Sequence, residues 1–371
     1  MIKYLGSKRL LVPRIQAIFR ALPAVHSLAD LFSGTARVGH ALKKAGFQVH
    51  ASDYARFATV LARCYVEADA GQWQEQAREL VQHLQSVPPR PGYFTETFCV
   101  RSRFFKPENG AKIDAVREEI AALRLPPELD AIALVSLMEA ADRVDSTTGL
   151  QMAYLKQWAP RAHNPLELRL PQILPGTGYV REGLAEALAS ELDVDAAYLD
   201  PPYNQHSYLA NYHVWETLCR WDKPAHYGTA CKRLDVRERK SRFNSRRDIR
   251  RALREVVHGL RCPWIVLSFN DEGYLARPDI EAILACKGYV SRVALGFKRY
   301  VGAQIGIHNP RGEKVGTVSH LYNREYLFVA GPDKAVVEAA IAAAGPPHST
   351  ASRTARGSRT APAPTQVRLR L

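Results

Sequence analysis

The chain reads as an α/β protein: a doubly wound, mainly parallel sheet interrupted by a helical insertion. Three observations predict this. A strand, a glycine turn, a helix and a second strand follow one another through residues 27–53. Apolar runs recur at 196–199, 264–270, 290–297 and 325–329, separated by helical spacing, and strands alternating with helices build parallel sheets. Between these regions, residues 93–170 carry helical spacing and few strand signals.

Taken in order, Ile2 to Arg9 form an arm ahead of an amphipathic helix bearing Leu10, Leu11, Ile15 and Ile18. Pro13 falls in its first turn, where proline is tolerated. Asp30 and Phe32 close the first strand, and Ser33, Gly34 and Thr35 make the turn. A helix through Val38, Gly39 and Leu42 ends at Gly46, and an alternating strand then runs to Asp53. Glycine at such a turn lets backbone approach a ligand, with a helix N-terminus close by. An acid about 20 residues beyond the first glycine can accept from ribose hydroxyls, which assigns that role to Asp53. Gly34 and Gly39 do not make G-x-G-x-x-G, and no G-K-[ST] follows. A nucleoside ligand without a pyrophosphate fits better, and S-adenosylmethionine qualifies.

Residues 55–85 read as core helices, and the prolines of 87–92 break them. Residues 114–123, 128–143 and 150–158 are the clearest helices of the insertion. Its cluster Tyr93, Phe94, Arg101, Arg103, Phe104, Phe105 and Lys106 has two readings, nucleic-acid contact or a lid packed on its own rings. Residues 181–192 read as an amphipathic helix leading to the strand 196–199.

That strand stops at Asp200, Pro201, Pro202 and Tyr203. Two prolines remove two backbone donors and fix φ, so no ladder continues and the carbonyls can face outward. A carboxylate, outward carbonyls and a flat ring suit a planar ligand with an exocyclic amino group. Residues 206–221 then read as a helix. Between 231 and 251 stand ten Lys/Arg against three acids, a local balance of +7. Clustering of this kind neutralises phosphates, and Arg237, Arg239, Lys240, Arg242, Arg246 and Arg247 are the expected nucleic-acid contacts.

Composition agrees. The 371 residues are 46% hydrophobic with a net charge of +14, which implies a polyanionic partner. No run of about 18 apolar residues occurs and the N-terminus does not read as a signal peptide, so a membrane role is not expected. The six cysteines are scattered without a C-x-x-C pair, which suits a reducing, cytoplasmic compartment and neither a disulfide frame nor a metal site. From Gly345 the chain holds five arginines and no acid, and is expected to be a disordered basic tail.

The DPPY run, with its continuation from Asn204 through Thr217, resembles motif IV of the Dam-like adenine-specific DNA methyltransferases. The stretch Asp30-Leu-Phe-Ser-Gly-Thr-Ala-Arg-Val-Gly39 is similar to that family's motif I, with Ala36 in place of a second glycine. Lys3 to Lys8 resembles its motif X. The resemblance implies a Rossmann-like methyltransferase that moves a methyl group from S-adenosylmethionine to N6 of a flipped adenine in double-stranded DNA. It implies Asp200, Pro201, Pro202 and Tyr203 as catalytic residues. Around the cofactor it implies Tyr4 and Lys8 at the methionine end, Asp30, Phe32, Ser33, Gly34, Thr35 and Gly39 in motif I, and Glu182 near the adenine. Residues 1–90 and 171–340 would form the catalytic domain, and 91–170 the target-recognition insertion. A cognate restriction endonuclease is a further expected partner, and the oligomeric state is left open. Two alternatives stand beside this reading: an enzyme acting on N4 of cytosine or on RNA adenine, and a non-catalytic nucleic-acid-binding protein of the same fold.

Overall fold

The computed structural model describes residues 1–298, 307–308, 314–316 and 322–346. The basic tail beyond Pro346 lies outside the described residues. Seven strands make the main sheet: β1 (Ser27–Asp30), β2 (Gln48–Asp53), β3 (Tyr179–Glu182), β4 (Ala196–Leu199), β5 (Trp264–Asn270), β6 (Tyr289–Lys298) and β7 (Tyr322–Gly331). Their spatial order is β3-β2-β1-β4-β5-β7-β6. The first five run parallel, and β7 is antiparallel to both β5 and β6. The predicted doubly wound sheet is therefore present, with an antiparallel edge.

Residues buried on both faces explain the apolar runs. Ala196 and Tyr198 of β4 enter one core with Leu28, Val266 and Leu327, while Ala197 and Leu199 enter the other with Ala29, Ile265 and Phe328. The first core is capped by α1 (Val12–Ala21), α2 (Arg37–Lys44), α3 (Arg56–Ala62) and the insertion. The second is capped by α4 (Ile249–Gly259) and α5 (Arg277–Leu284). The period of α4 is clean: Ile249, Ala252, Leu253, Val256 and Val257 face the sheet, whereas Arg250, Arg251 and Arg254 are exposed.

The insertion contains α6 (Pro107–Leu123) and α7 (Pro127–Val144) as long helices. Three expectations need correction. Residues 150–158 hold no helix; the segment is irregular, and the Gln151 side chain and backbone bond Asn211, His213 and Val214. Residues 181–192 are not one helix, because Tyr179–Glu182 pairs in parallel with β2 and only Ala185–Leu188 coils, followed by a 3-10 turn. Residues 206–221 form two helices, Tyr208–Asn211 and α8 (His213–Arg220), separated by Tyr212. The aromatic cluster of the insertion is core: Phe94, Phe104 and Phe105 are fully buried, and Arg103 lies over the Trp158 ring at 4.7 Å. Packing wins over nucleic-acid contact for these rings.

Candidate active site

In an open parallel sheet the crevice lies beyond the carboxyl ends of the strands, where the strand order reverses. Here that point is between β1 and β4, which are paired at Asp30 and Tyr198. Four carboxylates sit at consecutive strand ends: Asp30 on β1, Asp53 on β2, Glu182 on β3 and Asp200 just after β4. A cavity, partly open to solvent, lies there. Of the expected cofactor residues, Tyr4, Lys8, Asp30, Phe32, Ser33, Gly34, Thr35 and Asp53 line it, as do Asp200 and Pro202.

The turn between β1 and α2 is shaped by left-handed backbone. Gly34 has φ +52°, and a Cβ there would meet the Tyr4 ring at 3.3–3.5 Å. Ala36, where the resembling motif has glycine, also adopts φ +57°. A side chain in that region costs about 1–2 kcal/mol, so the fold keeps the conformation even without glycine. Gly39 does not line the cavity; it lies one turn into α2, where a Cβ would come within 3.2 Å of Asp30 Oδ2.

Asp30 is 1% exposed, and neither carboxylate oxygen has a hydrogen-bond partner. Burial, then the nearby charges of Asp200 and Asp53, pushes its pKa to about 7; the Gly39 amide and the Ser33 hydroxyl lie close enough to lower it in part, though neither completes a hydrogen bond to it. The Ser33 hydroxyl is likewise buried without a partner. Asp53 is better satisfied, accepting from the Gly34 amide at 3.0 Å and the Ala55 amide at 3.0 Å. Burial still raises its pKa to about 6. A wall of buried, under-satisfied acids is suited to a cation.

The N-terminal arm closes the other side. Tyr4 is sandwiched between Tyr208 and Tyr212, with ring centroids at 5.1 and 4.7 Å. The Tyr212 hydroxyl accepts from the Leu5 amide at 2.6 Å. Lys8 donates to Asp200 Oδ1 at 2.9 Å and to Glu325 Oε1 at 2.7 Å. Burial pushes Asp200 up to about 6, with Lys8 pulling it back and Glu325 pushing it further. Pro201 is buried, and Tyr203 is half-buried with its ring 5.8 Å from Phe269; neither lines the cavity.

Glu182 is held elsewhere. Its carboxylate pairs with Arg56 at 3.2 Å and Arg220 at 3.0 Å and is not part of the lining, whereas Glu186 is. The basic segment divides. Arg239 bonds buried Glu216 at 2.8 Å and the Tyr54 carbonyl at 3.2 Å, and Arg242 bonds Glu255 at 3.1 Å. Arg237 is exposed and lies over the Tyr227 ring at 4.0 Å. Lys240, Arg246 and Arg247 are exposed and have no ion pair among the described residues.

Sequence reasoning missed Glu325, Ser268, Asn270, Tyr208 and Glu186 as site residues; Phe243 of the basic segment also lines the cavity and meets Phe32 edge-on at 5.0 Å. The available signal for Glu325 was an acid at the head of the apolar run 325–329. Among the described residues no group of His, Cys, Asp and Glu is arranged to hold a metal ion, and no helix is long and apolar enough to cross a membrane.

The strand order, the glycine turn after β1 and the carboxylate–proline corner after β4 define a methyltransferase of the class that modifies exocyclic amines. The profile of the D12 class N6 adenine-specific DNA methyltransferases matches residues 4–258, and the chain belongs to that family. It is 30% identical over 341 residues to the type II methyltransferase M.NlaIII of Neisseria lactamica, covering 87% of this chain and 99% of that protein. With M.FokI of Planomicrobium okeanokoites it shares 29% over 308 residues, 77% of this chain but 47% of that protein. With M.CviAII of Paramecium bursaria Chlorella virus 1 it shares 26% over 314 residues, 81% of this chain and 92% of that protein. The chain thus spans nearly all of the first and third of these relatives and about half of the second.

Proposed function

We propose that the chain transfers a methyl group from S-adenosylmethionine to N6 of an adenine flipped out of double-stranded DNA, as the modification partner of a cognate restriction endonuclease. The observation that carries this is the pairing of two acids in one cavity: Asp30, buried and unpartnered, and Asp200, tethered by Lys8. The donor supplies an electrophilic methyl on a sulfonium, and the residues present fit it. Asp30 would accept from its ammonium and Asp53 from its ribose, and the surplus of buried carboxylate would favour its positive charge. Tyr4, Ser33, Gly34 and Thr35 shape the pocket around it. Glu182 is already paired, so the adenine contact proposed there falls to the neighbouring cavity wall.

The amine nitrogen's lone pair is delocalised into its ring and needs help. Asp200 and the Pro201 carbonyl accept from its two N–H groups, which favours a more tetrahedral nitrogen with its lone pair toward the methyl. Tyr203 offers a face for the flipped base, and Lys240, Arg246 and Arg247 supply phosphate contacts. Direct transfer depends on positioning, so no nucleophilic side chain is required. The names of the relatives, which are type II methyltransferases, support the restriction–modification context. Mass spectrometry of nucleosides from treated duplex DNA tests the reading: N6-methyladenine is expected, and N4-methylcytosine or methylated RNA alone would overturn it.

A further inference from the structure

The geometry points to Lys8 and Glu325 as positioning residues for Asp200, not as cofactor ligands: Glu325 anchors Lys8, and Lys8 holds the carboxylate that accepts from the amine. This rests on the amine-methylating reading above. The three residues come from distant segments. Lys8 opens a 3-10 turn in the N-terminal arm, Asp200 follows β4, and Glu325 lies in β7 opposite Asn270 of β5. Lys8 is 8% exposed, and its ammonium spans both carboxylates, 2.9 Å from Asp200 Oδ1 and 2.7 Å from Glu325 Oε1. Glu325 is fixed from behind: Ser268 Oγ donates to Oε1 at 2.7 Å and Asn270 Nδ2 to Oε2 at 3.0 Å. Both of these donors are placed by the β5–β7 ladder. Asp200 is bound on one oxygen only. Its Oδ2 takes no hydrogen bond among the described residues and remains for a substrate.

A second buried acid is costly, so its presence calls for a reason. If Lys8 served Asp200 alone, the two would form a closed pair and the carboxylate would lose proton affinity. Lys8 favours the ionised form of Asp200, and Glu325, sharing the same ammonium, restores part of its proton affinity so that it can still accept. That matters chemically. When the amine nitrogen forms its new N–C bond, the C–S electron pair stays with sulfur and the nitrogen carries a positive charge. It must shed one proton, which passes to Asp200 Oδ2 and then to water as product leaves. Lys8, already an ammonium, cannot take it.

Two charge changes should therefore move the acidic limb of kcat in opposite directions. Facing Asp200 are Lys8, Glu325, Asp30, Tyr198, Tyr203 and Tyr208. Burial pushes the three phenols up, Tyr203 to about 12, so they stay neutral in the relevant range. Saturating S-adenosylmethionine removes the contribution of Asp30. Under that condition Lys8→Met should move the limb up by about 1–3 pH units, because an opposite charge is lost. Glu325→Gln should move it down by roughly one, because a like charge is lost. Lys8→Arg should leave it in place. Affinity for S-adenosylmethionine, read by calorimetry, should stay within about threefold in all three. Limbs that stay put in Lys8→Met and Glu325→Gln, or move together, would overturn the inference. So would a tenfold loss of cofactor affinity in Lys8→Met, which returns Lys8 to the cofactor. If Lys8→Met does not fold, Glu325→Gln and Lys8→Arg still decide. A wild-type protein that forms no N6-methyladenine would instead sink the underlying reading.

Discussion

Asp30 shows at the level of one residue how a site can weaken the fold that carries it. Its raised pKa means that the folded chain holds a proton which the unfolded chain releases above about 3.9. Native stability from this group therefore falls as pH rises toward about 7, and is level beyond. Asp30→Asn removes that cost while keeping the shape, so the free protein should melt at a higher temperature near pH 8. The same change removes the acceptor proposed for the cofactor's cation. Calorimetry should then show S-adenosylmethionine affinity at least about tenfold weaker, or 1.4 kcal/mol. In the wild type, affinity should fall as pH drops through about 7, since protonated Asp30 loses its charge. An Asp30→Asn protein that binds as tightly as wild type would remove Asp30 from the site. Lys8 differs in kind: burial opposes its charge, but Asp200 and then Glu325 keep it an ammonium at any pH of interest.

Among the elements, the basic segment after α8 separates two uses of arginine that look alike in a sequence. Arg233 is buried, donating to Asp222 at 2.6 and 2.7 Å and to Asp235 at 2.9 and 3.0 Å. Arg239 ties α8 to the loop at Tyr54 through Glu216. These two hold the structure, whereas Lys240, Arg246 and Arg247 are free to meet phosphate. Replacing those three by Ala should leave the melting temperature nearly unchanged and weaken DNA binding across sequences. The slope of log affinity against log salt should drop by roughly 0.9 for each phosphate that is no longer neutralised. A slope that stays the same would make the segment a solvated face. The distinction was invisible beforehand because Glu216 and Asp222 lie outside the run and their pairing depends on the fold. Strands and strand ends were legible for the opposite reason: buried apolar runs ending in Asp30, Asp53 and Asp200 are local signals. Residues 150–158 and 181–192 misled because helical spacing in a short stretch is also met by segments tied down from outside, by Asn211 and by β2. The aromatic cluster kept two readings in the sequence, because a ring's burial is a property of its neighbours, and packing is the one the fold realises.

Across the whole molecule, the N-terminal arm completes the site by reaching the end of β4 and, beyond it, β7. Tyr4 stacks between Tyr208 and Tyr212, and Lys8 joins Asp200 to Glu325, so the chain's beginning, middle and end meet at one carboxylate. The motifs were readable one by one, and the DPPY corner set the reaction class. The partner that completes it, Glu325, stands in a strand reached only after the basic segment and could be joined to it only by the β5–β7 register. Asp200 is the centre of that arrangement. Its proposed role grows as the amine nitrogen pyramidalises and asks little of it in ground-state binding. The most direct test is single-turnover transfer of labelled methyl to duplex DNA under saturating protein and S-adenosylmethionine. Asp200→Ala should lower the rate by roughly a hundredfold or more, the scale for losing one preorganised electrostatic partner, while DNA and cofactor affinities shift far less. Transfer by Asp200→Ala at the wild-type rate would contradict this mechanism and reduce DPPY to a proline turn.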